Sequence, residues 1–216
     1  NLYYEEHISA TNPCGEQVLP IGGVCLLGSL NLVHFINPKT QDWKYEELKR
    51  VIPIAVRLMD NVNDRTTVPL KMQKDQLQSK RRIGLGVMGY ASALMMARVQ
   101  YGGKKALEMT ENLMEFITNQ AYQSSSLLAK EKGAFPLYDG ARYQKGEFIR
   151  SLSKETRDLI GPYGMRNSHV TSIQPTGNGS VFANLVSGGL EPLFMHGYVR
   201  TSVQQHYPDS ITEPST

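Results

Sequence analysis

Cysteine is scarce in this 216-residue chain: there are two, Cys14 and Cys25. A secreted disulfide framework or a cysteine-based zinc set would need more, so reduced thiols and no metal site are expected. Charge of one sign is also scarce. The formal balance of +3 is spread along the chain, and the only dense basic run is Lys80-Arg81-Arg82. That argues against nucleic acid as a main partner. The run is read as a solvated approach to the next buried element, with a nucleotide-phosphate role as the alternative. Apolar runs long enough to span a bilayer are missing, as is a charged stretch leading into an apolar core at the start, so a soluble, cytoplasmic protein without a membrane partner is expected. Asn1-Leu2-Tyr3-Tyr4 opens without methionine, and residues 207–216 carry no helical or strand pattern. The chain is therefore expected to be a piece of a longer polypeptide.

What is present suffices for a real core, and residues 1–216 are taken as a single domain. Residues 22–35 form a dense apolar stretch, either a buried strand or the start of a helix. Over 45–63, Leu48, Val51, Ile52, Ala55, Leu58, Met59 and Val62 recur every three or four positions, which predicts an amphipathic helix that Pro53 kinks or effectively starts. Residues 66–82 are polar and predict a loop or a short frayed helix. A buried strand over 83–89 should feed a helix over 90–99, broken by Gly102 and Gly103. The longest periodic segment is 104–132, stopped by Gly133; 134–148 is irregular, and a short helix follows near 154–160. Residues 169–174 have strand character, and 181–186 look helical. Strands, turns and helices alternate, so the fold class is α/β, with parallel strands covered by helices.

Three stretches carry candidate chemistry. In Thr11-Asn12-Pro13-Cys14-Gly15-Glu16-Gln17, proline and glycine shape a loop around a cysteine. Side chains two apart share a side in extended chain, so Asn12, Cys14 and Glu16 can converge on one small ligand; the alternative is an inert cysteine in a turn. Gly84-Leu85-Gly86-Val87-Met88-Gly89 matches the dinucleotide-binding glycine pattern. The stretch before it is polar, however, and Glu108 falls inside a helix, so close packing of strand against helix is favoured over NAD. Gln174-Pro175-Thr176-Gly177-Asn178-Gly179-Ser180, between strand and helix, suits a phosphate cradle or an ordinary helix cap by Thr176 or Asn178. Ser187-Gly188-Gly189-Leu190-Glu191-Pro192 should close that helix, with Glu191 as a buried structural carboxylate or a ligand.

Taken in order, the first block, Val24-Cys25-Leu26-Leu27-Gly28-Ser29-Leu30-Asn31-Leu32, the stretch from Arg82 to Gly89, and Gln174-Pro175-Thr176-Gly177 with Ser187-Gly188-Gly189-Leu190-Glu191-Pro192 resemble the catalytic subunit of ribonucleotide reductases across essentially the whole chain. The resemblance implies part of a ten-stranded α/β barrel, namely the finger loop and most of the second half-barrel. It implies that Cys14 is oxidised to a thiyl radical that abstracts the ribose 3′-hydrogen, that Glu16 is the general base on the 3′-hydroxyl, and that Asn12 hydrogen-bonds the substrate. The radical should be shielded from water, hence a buried loop. Cys25 becomes a reducing cysteine whose partner lies in the missing first half-barrel. The backbone of Thr176, Gly177, Asn178 and Gly179 becomes the loop for the phosphates of a ribonucleoside di- or triphosphate.

The short Cys14–Cys25 spacing and the glycine after Cys14 look like the adenosylcobalamin-dependent subclass, a metal-radical partner subunit being the alternative; this fragment itself is expected to bind no cofactor. A different reading is a non-catalytic nucleotide-phosphate-binding or assembly module that needs a partner chain. Either way the isolated chain is expected to self-associate through its open half-barrel face.

Overall fold

The computed structural model describes residues 1–193 and 195; the tail over 207–216 lies outside the described residues. A small hairpin comes first, β1 (Ala10–Thr11) antiparallel to β2 (Val18–Leu19). The central unit is a βαβ crossover. β3 (Leu26–Asn31) runs into a 3₁₀ turn (Leu32–His34) and a hairpin of β4 (Ile36–Asn37) and β5 (Asp42–Trp43). The chain then passes through α1 (Tyr45–Arg65) and α2 (Lys71–Lys80) and returns as β6 (Ile83–Met88), parallel to β3 in a register from Leu26↔Ile83 to Asn31↔Met88. After α3 (Tyr90–Met96) and α4 (Lys104–Lys132) come α5 (Gly140–Tyr143), α6 (Glu147–Ser151) and α7 (Lys154–Tyr163). Residues 169–172 then lie along the free side of β6: Leu85 N donates to Val170 O at 2.7 Å and Ser172 N to Leu85 O at 3.1 Å. Last comes α8 (Gly177–Phe182).

The core forms where two periodicities meet. Ile83, Leu85 and Val87, on one face of β6, are buried against Leu48, Ile52 and Val56 of α1 and Leu113 and Ile117 of α4 in one apolar cluster. These α1 residues recur at the helical period, and the helix begins at Tyr45, so Pro53 lies inside it and does not start it. Proline removes one helical hydrogen bond there, but the buried face extends on both sides of it and outweighs that loss.

The fold differs from several expectations. α2 is a ten-residue helix with only Leu77 and Lys80 buried, so it had little apolar period to betray it. The irregular 134–148 stretch holds α5 and the start of α6. The last described helix starts at Gly177, inside the glycine segment, and ends at Phe182; Asn184 and Leu185 then turn left-handed. The expected 181–186 helix is therefore displaced to earlier residues, and Gly188 and Gly189 lie well past its end. Glu191 is exposed. The sheets are two-stranded, and no closed barrel exists among the described residues. No described helix is long and apolar enough to cross a membrane.

Lys80, Arg81 and Arg82 are not a solvated face. All three are buried, at 5 %, 7 % and 3 % exposure. Lys80 and Arg82 share the buried carboxylate of Glu6, at 2.8 and 2.6 Å. Arg81, in left-handed conformation (φ 50°) at the end of α2, reaches Asp60 at 2.7 Å and Asp64 at 2.7 Å. Asp60, fully buried on α1, also accepts from Lys132, Arg166 and Asn167. Burial works against its charge, but hydrogen bonds and charge from Arg81, with Arg166 and Lys132, hold its carboxyl below the usual aspartate range. The acidic partners lie in other segments, out of sight of a local reading of the basic run.

Candidate active site

The cysteine loop is a tight turn rather than extended chain. Gly15 N donates to Asn12 O at 3.1 Å, with Pro13 and Cys14 at the corners and Gly15 at φ 80°. The Asn12 side chain accepts from Gln17 N at 3.0 Å and pins the hairpin tip. Cys14 is exposed at that tip, not buried. The loop is therefore a turn and not alternating extended chain: Asn12 Oδ1 is engaged with its own loop, while Glu16 has one carboxylate oxygen, Oε2, buried and unpartnered.

The charge of that carboxylate bears on the second cysteine. Cys25 is partly buried one residue before β3. Burial pushes its thiol up to about 12; Arg82 pulls it down, and Glu16 adds to the rise. Arg82 also fastens the hairpin to the sheet through Nη1 to Val18 O at 3.0 Å.

From Cys25 a single strand face leads along the parallel pair, formed by Leu27, Ser29 and Asn31 beside Gly84, Gly86 and Met88. Its glycines admit side chains from elsewhere. A Cβ on Gly84 would meet Ser172 Cβ at 2.8 Å and Gln17 Nε2 at 3.1 Å; one on Gly86 would meet Ser172 O at 2.4 Å and the Gln174 amide at 2.9 Å. Gln174, 3 % exposed, donates through Nε2 to Gly28 O (2.7 Å) and Ser29 Oγ (2.8 Å). The glycine block is therefore close-packed as expected, but against the 172–174 segment, which forms no strand beyond an isolated parallel bridge to β6 at Thr171, and against Gln17 more than against α3. A dinucleotide fingerprint needs its glycines in the turn after a strand, and here two of them lie inside β6 with that face covered.

At the far end of this face stands the 176–179 loop. Thr176 holds the N-cap position of α8 yet makes no capping hydrogen bond, and its Oγ1 is buried without a partner. The first intrahelical bond is Ser180 N to Thr176 O at 2.7 Å, so the N–H groups of Gly177, Asn178 and Gly179 precede the ladder. All three residues are exposed, and a Cβ on Gly177 would meet nothing within 4 Å. The helix-cap alternative thus fails for Thr176, and open backbone donors remain. Cys25 and Glu16 sit at one end of the face and these donors at the other; at about 3.3 Å per residue, Gly84 to Met88 spans roughly 13 Å. Among the described residues no group of His, Cys, Asp and Glu could hold a metal. Local sequence reading missed the contributions of Arg82, Gln17 and Gln174, each set by a partner distant in sequence.

Two parallel strands joined by a helical crossover and packed against long helices define a class, an α/β domain. The family model for the ribonucleotide reductase barrel domain matches residues 1–212, and the chain belongs to that family. It is 37% identical over 194 residues to the vitamin B12-dependent ribonucleoside-diphosphate reductase of Thermoplasma acidophilum, covering 89% of this chain and 23% of that protein. The protein of the same description from Mycobacterium tuberculosis is 37% identical over 199 residues, 92% of this chain and 26% of its own length. The ribonucleoside-diphosphate reductase subunit alpha of Chlamydia pneumoniae is 34% identical over 229 residues, 93% of this chain and 21% of its own length. The chain thus spans about a quarter of the length of the curated relatives it matches.

Proposed function

We propose that this chain is the finger loop and most of the second half of a ten-stranded α/β barrel, and that within a longer or multi-chain cytoplasmic enzyme it reduces ribonucleotides to deoxyribonucleotides. The observation that carries the proposal is the run of open N–H groups of Gly177, Asn178 and Gly179 beside Met88 at the end of β6, in the same parallel strand pair that carries Cys25 one residue before β3. Family membership supports the same reading.

Cys14 carries the thiyl radical and takes the 3′-hydrogen; Glu16 accepts the 3′-hydroxyl proton, and Asn12 hydrogen-bonds the substrate hydroxyl or the developing carbonyl. The 2′-hydroxyl leaves as water. Cys25 and a cysteine from the first half-barrel together supply two electrons and become a disulfide, and Cys14 returns its hydrogen to the 3′-carbon. A high Cys25 pKa keeps that sulfur protonated, in the form that donates hydrogen. The Thr176 to Gly179 backbone holds the phosphates of a ribonucleoside diphosphate, the substrate in the relatives' names. Cys14, exposed on its turn, is placed to be oxidised by a group brought by another part of the assembly; adenosylcobalamin, or a metal-radical partner subunit as the alternative, would supply that one-electron oxidation in the intact enzyme.

The test is turnover and substrate affinity of the full-length polypeptide. Cys14→Ser should abolish turnover with affinity nearly intact, because an alkoxyl radical is far harder to form than a thiyl radical. Glu16→Gln should cost about a hundred- to ten-thousandfold. A Cys14→Ser enzyme within about tenfold of wild type, roughly 1.4 kcal/mol in the barrier, would refute the assignment.

A further inference from the structure

α8 has little of its own to hold it in place. It is six residues long, too short to be stable alone, and Val181 and Phe182 are exposed, with Ser180 its only buried residue. Its position therefore depends on tethers at the two ends of the segment. Before it, Gln174 is bonded to β3. After it, Val186 N donates to Ser180 O at 3.2 Å, and the next residue, Ser187, is locked onto the start of α3.

That lock is reciprocal. Ser187 N donates to Ser92 Oγ at 2.9 Å, Ser92 N donates to Ser187 Oγ at 3.2 Å, and Gly89 N donates to Ser187 O at 2.7 Å. The N-cap of α3 is Gly89, at φ 74°, where a Cβ would sit 2.7 Å from Asn31 Oδ1. A capping side chain at that position is excluded, and Ser187, 6 % exposed and 95 residues from Ser92, supplies the missing acceptor to the third helical residue. Beyond it the chain folds back along the loop: a Cβ on Gly188 would lie 3.8 Å from Thr176 N, and one on Gly189 3.4 Å from Gln174 O.

We propose that Ser187 is a positioning residue for the nucleotide: by capping α3 in place of Gly89 it fixes the exit of α8 and so the aim of the Gly177, Asn178 and Gly179 N–H groups. The inference rests on the reading of that loop as the phosphate site. The experiment compares binding of a ribonucleoside diphosphate and of the matching nucleoside to the full-length polypeptide, with KM and kcat for the diphosphate measured alongside.

Ser187→Ala should weaken the diphosphate by about tenfold, roughly 1.4 kcal/mol, leave the nucleoside unchanged, and raise KM with little change in kcat. Ser92→Ala, which removes the other half of the lock, should do the same and serves if Ser187→Ala does not fold. Ser187→Thr, which keeps the hydroxyl, should recover most of the affinity. Equal weakening of nucleoside and diphosphate, or no weakening of either, overturns the proposal while leaving the phosphate site standing. If the unsubstituted protein gains no affinity from the phosphates, the phosphate-site reading falls and takes this one with it.

Discussion

Two thiols eleven positions apart end in opposite environments, Cys14 exposed on a turn and Cys25 pushed up to about 12 by burial, against the pull of Arg82 and with a contribution from Glu16. Since the thiolate is the nucleophile, iodoacetamide at pH 8 should label Cys14 quickly and Cys25 slowly, as read by peptide mass spectrometry. The same measurement tests the neighbour. Glu16→Gln removes a negative charge beside Cys25, so its thiol pKa should fall and its labelling should speed up; an unchanged rate would separate Glu16 from Cys25.

Among the elements, β6 owes its close packing to what its glycines lack. Gly86→Ala would set a Cβ 2.4 Å from the Ser172 carbonyl and 2.9 Å from the Gln174 amide, so it should cost about 1–3 kcal/mol in denaturant unfolding. Gly177→Ala, with nothing within 4 Å, should change stability by no more than about 0.5 kcal/mol. Asp60 ties α1 to the α2–β6 junction, the end of α4 and the 166–167 loop. Asp60→Asn leaves Arg81, Arg166 and Lys132 short of a buried counter-charge and should destabilise by about 3–5 kcal/mol. Because the folded pKa of Asp60 is depressed, its contribution is present above the ordinary aspartate value of about 3.9 and is lost as pH falls through the folded value. Thermal melts across that range should show a smaller acid loss in Asp60→Asn than in the unsubstituted protein.

For the molecule as a whole, a parallel sheet normally has both faces covered and its strands flanked. Here β3 pairs with β6 on one side only among the described residues, and Ile8, Val18, Ile21 and Leu27 are exposed. The isolated chain should therefore self-associate, with light scattering showing mass that rises with concentration. A clean monomer that binds no hydrophobic dye would count against an open half-barrel.

The sequence by itself determined whatever depends on neighbours a few positions away. The apolar period of α1 and α4, the stop of α4 at Gly133, the β6-to-α3 step and the proline–glycine turn around Cys14 all follow from local propensity and spacing. The ordered motif blocks pointed to the family in the same way. Tertiary structure alone decided the burial of Lys80, Arg81 and Arg82, because a basic run appears solvated until Glu6, Asp60 and Asp64 arrive from other segments. It alone gave Gly84 and Gly86 their occupants, Ser172 and Gln174, and buried Cys25 where the charges of Arg82 and Glu16 bear on its thiol. A buried charge or a missing Cβ is tolerable only with its partner in place, and that partner is chosen by the fold, across distances along the chain that no local pattern encodes.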